Sequence, residues 1–193
     1  GIDALCQAFE SVWSVKANEE SLQYALQAAE MLWNNLYKAI FEKNKTAKEI
    51  IQEASFLAGK AINISETTAP HAISYSFTSY YNIPHGHAVA ISLPFFLNYN
   101  YNITDENCTD KRGAENVKKR IDKLFNVLNI SSDTAAAIIE SFFNKLGINI
   151  KILTLVNNFN SNIIDNNINF DRLNNNPRKV SEKTIKEFLE TAK

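Results

Sequence analysis

His71, His85 and His87 are all the histidines of the chain, and they fall within a window of 17 residues. The window straddles a break at Pro84-His85-Gly86 between two apolar segments, and a helix–turn–helix corner there can bring His71 and His85 to one point. Neutral imidazoles arriving from different elements are a common way to hold Zn²⁺ or Fe²⁺. A solvated or core histidine is the plain alternative for each, and spacing alone leaves both readings open. Near the start, Asp3 and Gln7 stand four residues apart, so on a helix their side chains leave one face and approach one cavity. An acid complementing a helix dipole, beside an ordinary surface glutamine, fits the same spacing. Tyr75 follows His71 by four residues, which puts a phenol beside whatever His71 binds, or else packs a ring in the core with its hydroxyl at the rim.

Several other chemistries find no support. The chain has no G-x-G-x-x-G, no Walker loop and only five glycines, so it lacks the backbone device that cradles a dinucleotide pyrophosphate. No serine sits in a nucleophile elbow, and Cys6 and Cys108 fit neither a disulfide framework nor a zinc pairing, so both read as free thiols in a reducing cytoplasm. With 20 Lys and Arg against 21 Asp and Glu, the formal charge of −1 offers no field for nucleic acid or an acidic membrane. No apolar run approaches the ~18–20 residues of a bilayer span, and the longest, from Ala88 to Leu97, contains Pro94. The expectation is a soluble, cytoplasmic protein whose partner is not a polyanion.

The elements that must position these residues read as helices. Apolar positions at helical spacing begin at Ala4 and fade near Ala17, and a second stripe runs from Ser21 to Lys43. So abrupt a start to structure carries the expectation that further chain precedes Gly1. Thr46 and Glu49 read as a capping box for a third helix, within which Gly59 offers close helix contact. A fourth helix starts near Thr68, with Pro70 in its first turn, and ends near Asn82; an apolar fifth follows through Ala88 and Leu93. Asn98 to Gly113 reads as a surface loop. A helix from Glu115 to Leu128 comes next, then one capped by Ser131, Ser132 and Asp133 and ended by Gly147. Ile148 to Val156 is ambiguous between strand and helix, Asn157 to Asn176 is a loop with short turns, and Ser181 and Thr184 open a final short helix. The predicted architecture is one all-α helical bundle spanning 1–193, with a core built from the Ser21, Thr46 and Ala88 helices.

The histidine window carries a resemblance. Thr68-Ala-Pro-His71-Ala-Ile-Ser-Tyr75, followed by Pro84-His85-Gly86-His87-Ala-Val, resembles the signature of the iron-containing (group III) alcohol dehydrogenases, in which the second histidine follows the first by fourteen residues, as 85 follows 71. The opening Asp3-Ala-Leu-Cys-Gln7 resembles that family's Asp-x-x-x-His motif, and Ala54 to Gly59 and Asn175-Asn-Pro177 are similar to further family stretches. His-Gly-His-Ala-Val also resembles dehydroquinate synthase and glycerol dehydrogenase, which share the two-domain plan, but the fourteen-residue spacing favours the alcohol dehydrogenases. Within the family, the wording around His71, with Gln7 and Pro-His-Gly-His, is most similar to the phosphonoacetaldehyde reductase branch.

That resemblance implies the helical carboxy-terminal half of a two-domain enzyme, with Asp3, Gln7, His71 and His85 around a divalent metal, Fe²⁺ or Zn²⁺. Gln7 departs from the family's histidine, and an amide oxygen is the weaker ligand, which puts occupancy in question. Tyr75 and His87 are implied on the substrate side, Tyr75 standing where many relatives carry a histidine. NAD(P) would be bound mainly by an amino-terminal domain outside this chain, the substrate would be a small alcohol or aldehyde, and the full-length protein would be a homodimer. A phosphonoacetaldehyde-like substrate would make it a small anionic aldehyde. The competing reading from another class is a non-catalytic helical assembly module with a structural histidine cluster; a third is a stand-alone metal hydrolase.

Overall fold

The computed structural model describes residues 1–193, and they form an all-α bundle. The elements are α1 (Ile2–Trp13), α2 (Glu19–Ile40), α3 (Lys45–Ser65), α4 (Ala69–Tyr81), α5 (His85–Tyr101), α6 (Ala114–Leu128), α7 (Ala135–Lys145), α8 (Ile152–Leu155), α9 (Ser161–Asn167), a 3-10 turn (Phe170–Asn175) and α10 (Glu182–Thr191). No β-strand forms, and extended pairing is limited to an isolated antiparallel bridge between Cys108 and Arg178.

α1 is the axis of the bundle, packed against α2, α3, α5 and α6. Its Leu5, Phe9 and Trp13 are fully buried, and each such side chain contributes about 1.5–3 kcal/mol on leaving water. Two apolar clusters replace the single core expected from the sequence. The larger joins α1, α2, α3, α6 and α7; the smaller joins α4, α9 and α10 around Ile73, Phe77 and Phe188. α5 belongs to both, giving Val89, Leu93 and Leu97 to the first and Ala88, Ile91 and Phe96 to the second. A helix walled in by two clusters needs no polar stripe, which accounts for the uncharged sequence of its first turns.

Several helix ends differ from expectation. α3 begins at Lys45, because Asn44, two residues before Thr46, takes the N-cap and accepts from Ala47 N at 3.0 Å; Asn is as strong a cap as Thr. The next expected cap, Ser131 to Asp133, is replaced by Thr134, which makes no side-chain capping bond. Gly59 has open space where a Cβ would stand, so no close helix contact depends on it. α5 runs through Pro94 and on to Tyr101, into the segment expected to be surface loop. Its polar end is used: Asn100, fully buried, exchanges amide bonds of 3.2 and 2.8 Å with Asn176, and Tyr99 donates to Lys179 O at 2.5 Å. Asn82 and Gly147 close α4 and α7 with the left-handed backbone that suits asparagine and glycine, and Ser181 with Thr184 forms a capping box on α10.

Two arginines fasten the far end of α1. Arg120 donates to Val12 O at 3.0 Å and Ser14 O at 2.8 Å while holding Asp110 at 2.6 Å, and Arg112 donates to Val15 O at 2.8 Å and to Ala17 O. Cations at a helix C-terminus satisfy its free carbonyls and complement its dipole. Nearby, Asn175 binds Ser65 O at 2.8 Å and Thr67 O at 2.9 Å, and accepts from Ser14 at 3.0 Å, pinning the 3-10 turn between α1 and α3.

Candidate metal centre

Three starts of helices meet at one point. α1 presents Asp3, Gln7 and Glu10 at spacings of four and three, so the three polar side chains share one face of an otherwise apolar helix. α4 opens at Thr68, whose hydroxyl is already taken by Trp13 Nε1 at 2.9 Å, so α4 lacks a side-chain cap of its own. Glu10 supplies it from outside: its carboxylate accepts from His71 N at 3.1 Å and Thr68 N at 3.5 Å. Its Oε2 also lies 2.5 Å from His71 Nδ1. α5 opens at His85, and Gly86 lets it come against α1, since a Cβ there would stand 3.1 Å from Asp3 N and 3.2 Å from Asp3 Cβ.

The result brings Asp3, His71 and His85 together. Asp3 Oδ1 is 3.3 Å from His71 Nε2 and 3.6 Å from His85 Nε2, and the ligand atoms of all three residues lie within 4.8 Å of one another. The imidazoles meet edge-on with centroids 5.4 Å apart. Gln7 donates from Nε2 to Asp3 Oδ2 at 2.9 Å, so its amide orients the carboxylate and its own Oε1 is not engaged by that bond.

A divalent cation fits this donor set. Asp3 Oδ1 and His71 Nε2 are buried and have no aligned hydrogen-bond partner, a costly arrangement unless something between them accepts both lone pairs. Glu10 binds the opposite nitrogen of His71, which directs the Nε2 lone pair into the cluster, the carboxylate–histidine arrangement that metal sites use. Asp3 is held below the usual carboxylate range, by the His71 imidazole first, against the opposing effect of burial. Burial opposes charge on His71, but Glu10 and then Asp3 outweigh it and push its pKa up to about 10. A proton and a cation therefore compete for the same nitrogen. Cys6, fully buried on α1, is no competitor as ligand, because burial pushes its thiol well above its ordinary pKa.

The two residues expected on the substrate side part company. Tyr75 is exposed at 44%, with its ring 5.9 Å from that of His85, and does not pack in the core. His87 turns away, its Nε2 2.5 Å from Asn149 O. Sequence reasoning missed Glu10, although it continues the Asp3 and Gln7 face at the next turn and is an isolated acid between Phe9 and Ser11. It also missed Arg172, whose guanidinium lies 4.6 Å over the Tyr75 ring; a separation of 97 positions leaves no local pattern to connect them.

Residues 1–193 match the family model described as Fe-containing alcohol dehydrogenase family, C-terminal. The chain is 28% identical over 189 residues to phosphonoacetaldehyde reductase of Streptomyces viridochromogenes, covering 97% of this chain and 47% of that protein. It is likewise 28% identical over 207 residues to sulfoacetaldehyde reductase of Bilophila wadsworthia, covering 98% and 50%. The fold superposes with a TM-score of 0.82 on the structure of sulfoacetaldehyde reductase from Bifidobacterium kashiwanohense in complex with NAD⁺, at 23% identity, covering 99% of this chain and 48% of that one. The chain thus spans about half the length of the curated relatives it matches. Matched from its first residue to its last, and folded as those proteins fold, it belongs to the iron-containing alcohol dehydrogenase family and corresponds to the carboxy-terminal domain.

Proposed function

We propose that the protein carrying this chain is an NAD(P)H-dependent reductase of small aldehydes, running in reverse as an alcohol dehydrogenase, and that its physiological substrate is a small anionic aldehyde of the phosphonoacetaldehyde type. The observation that carries the reading is the convergence of Asp3 Oδ1, His71 Nε2 and His85 Nε2, the first two buried and without an aligned hydrogen bond. The anionic substrate rests on the two reductases to which the chain is similar.

Asp3, His71 and His85 would hold Fe²⁺ or Zn²⁺, with Gln7 as a weak fourth contact through its amide oxygen. Such a cation supplies Lewis-acid polarisation of the carbonyl oxygen. Glu10 fixes the rotamer and tautomer of His71, and Gln7 fixes the Asp3 carboxylate. Tyr75, exposed beside His85, is placed to hand a proton to the oxygen that gains charge as hydride arrives at carbon. His87 serves that role only by releasing Asn149 O. The nicotinamide nucleotide is held by a separate amino-terminal domain, because this chain has no glycine loop for its phosphates, and the full-length protein works as a homodimer.

Two measurements test the reading. Calorimetric titration of this chain with Fe²⁺ or Zn²⁺ is expected to show one site per chain. Following NAD(P)H absorbance, the isolated 193 residues should not turn over while the full-length protein reduces phosphonoacetaldehyde. Turnover by the isolated chain would show that the nucleotide site has been misplaced.

A further inference from the structure

The chain has four arginines, and three are committed to protein acceptors: Arg112 and Arg120 to Asp110 and the end of α1, and Arg178 to Tyr99 O at 2.8 Å. Arg172 is the exception. Its backbone N–H is bonded to Asn169 O, but its guanidinium makes no ion pair and no hydrogen bond to protein. It lies over the Tyr75 ring instead, 4.6 Å from the centroid. Stacking on an aromatic face holds a guanidinium in place while leaving its N–H fork free at the edges.

The position of that fork is set by rigid parts. Arg172 sits in the 3-10 turn that Asn175 ties to Ser65 O and Thr67 O. It lines an open depression of about 490 Å³ shared with Lys16, Glu66 and Asp171. Lys16 is paired there with Glu66 at 2.5 Å; Asp171 is the remaining acid of the depression, and it forms no ion pair with Arg172. With 4.6 Å from guanidinium to Tyr75 and 5.9 Å from Tyr75 to the His85 ring, the charge stands at most about 10.5 Å from that ring.

We infer that Arg172 is the specificity-determining residue of the site, receiving the anionic head group of the aldehyde while its carbonyl end lies at the Asp3, His71 and His85 cluster. The inference rests on the anionic-aldehyde reading given above. A two-carbon aldehyde places its acidic oxygens roughly 4 Å from its carbonyl oxygen, and a charge-assisted N–H···O bond adds ~2.8 Å, a reach of the same order as that upper bound. Planar, bidentate recognition of a phosphonate or sulfonate is what a guanidinium does and an ammonium does less well. A neutral aldehyde of equal length gains nothing from Arg172.

The test uses the full-length protein and its Arg172→Ala and Arg172→Lys variants, assayed on phosphonoacetaldehyde, sulfoacetaldehyde and propionaldehyde, with ethylphosphonate as a competing, non-reducible probe. Arg172 is exposed, so neither substitution threatens the fold. The expected result is a fall of ~10- to 100-fold in the ratio of kcat/KM for the anionic aldehydes to that for propionaldehyde in Arg172→Ala, located in KM, with partial recovery in Arg172→Lys. Inhibition by ethylphosphonate should weaken in parallel. An unchanged ratio in Arg172→Ala, or equal losses on charged and neutral aldehydes, overturns the role of Arg172 while leaving the anionic-substrate reading standing. Wild-type protein that reduces propionaldehyde and ignores both anionic aldehydes sinks that reading itself, and is recognised without any variant.

Discussion

Glu10 and His71 meet at 2.5 Å with both side chains buried, and the one carboxylate both caps α4 and fixes the imidazole that faces Asp3. Glu10→Ala removes the acceptor from His71 Nδ1 and from two backbone donors at once. Metal affinity measured by calorimetry is expected to drop ~10- to 100-fold, as for other carboxylates behind a ligating histidine. Thermal or denaturant unfolding should show a loss of about 1–3 kcal/mol for the unpaired donors. Glu10→Gln keeps an acceptor and should fall between the two. Unaltered metal affinity in Glu10→Ala would mean that His71 needs no support to bind.

Gln7 separates a family trait from a trait of this chain. In Gln7→His an imidazole replaces an amide that now serves Asp3, and metal binding is expected to tighten by about tenfold or more, since imidazole is the better ligand for Fe²⁺ or Zn²⁺. His85→Ala should nearly abolish binding, whereas His87→Ala, bonded to Asn149 O, should leave it within about twofold, a difference well under 1 kcal/mol. Equal affinity of Gln7→His and wild type would take position 7 out of the coordination sphere.

Asp110 predicts an acid limit to stability. Burial favours its neutral form, but the hydrogen bonds of Arg112 and the charge of Arg120 hold its carboxyl below the ordinary range. A depressed pKa means that the stabilisation is complete above the unfolded-state value, near pH 4, and is lost as pH falls through the lowered one. Asp110→Asn should therefore cost about 3–5 kcal/mol at pH 7, because it leaves Arg120 buried without its counter-charge. The gap in Tm between wild type and variant should narrow as the pH drops below 4. A gap that stays constant with pH would show that packing, not charge, is what Asp110 contributes.

The histidine corner was legible because chemistry and spacing coincide there: His71, a break at Pro84, and His85 fourteen residues on. Helices were legible wherever one face is apolar, as in α2 and α6. Legibility failed where polar side chains find remote partners. Asn100 and Tyr99 read as loop residues because their acceptors, Asn176 and Lys179, lie more than seventy residues away. Glu10 was overlooked for the same reason, its partner being 61 residues downstream. Asn44 displaced Thr46 as a cap because two good capping residues stand two positions apart, a choice their identities alone leave open.

The chain between Glu10 and His71, which stand 61 positions apart, is largely α2 and α3, which pack on each other along their lengths. That pairing is local and can close early, whereas α1 reaches α4 and α5 only after the intervening chain is in place. The corner at Asp3, His71 and His85 is thus expected to close late on the folding route. Contacts absent from the transition state leave the folding rate alone and slow unfolding instead. A cation seated there would act as a latch on an assembled bundle, lengthening its lifetime rather than hastening its formation.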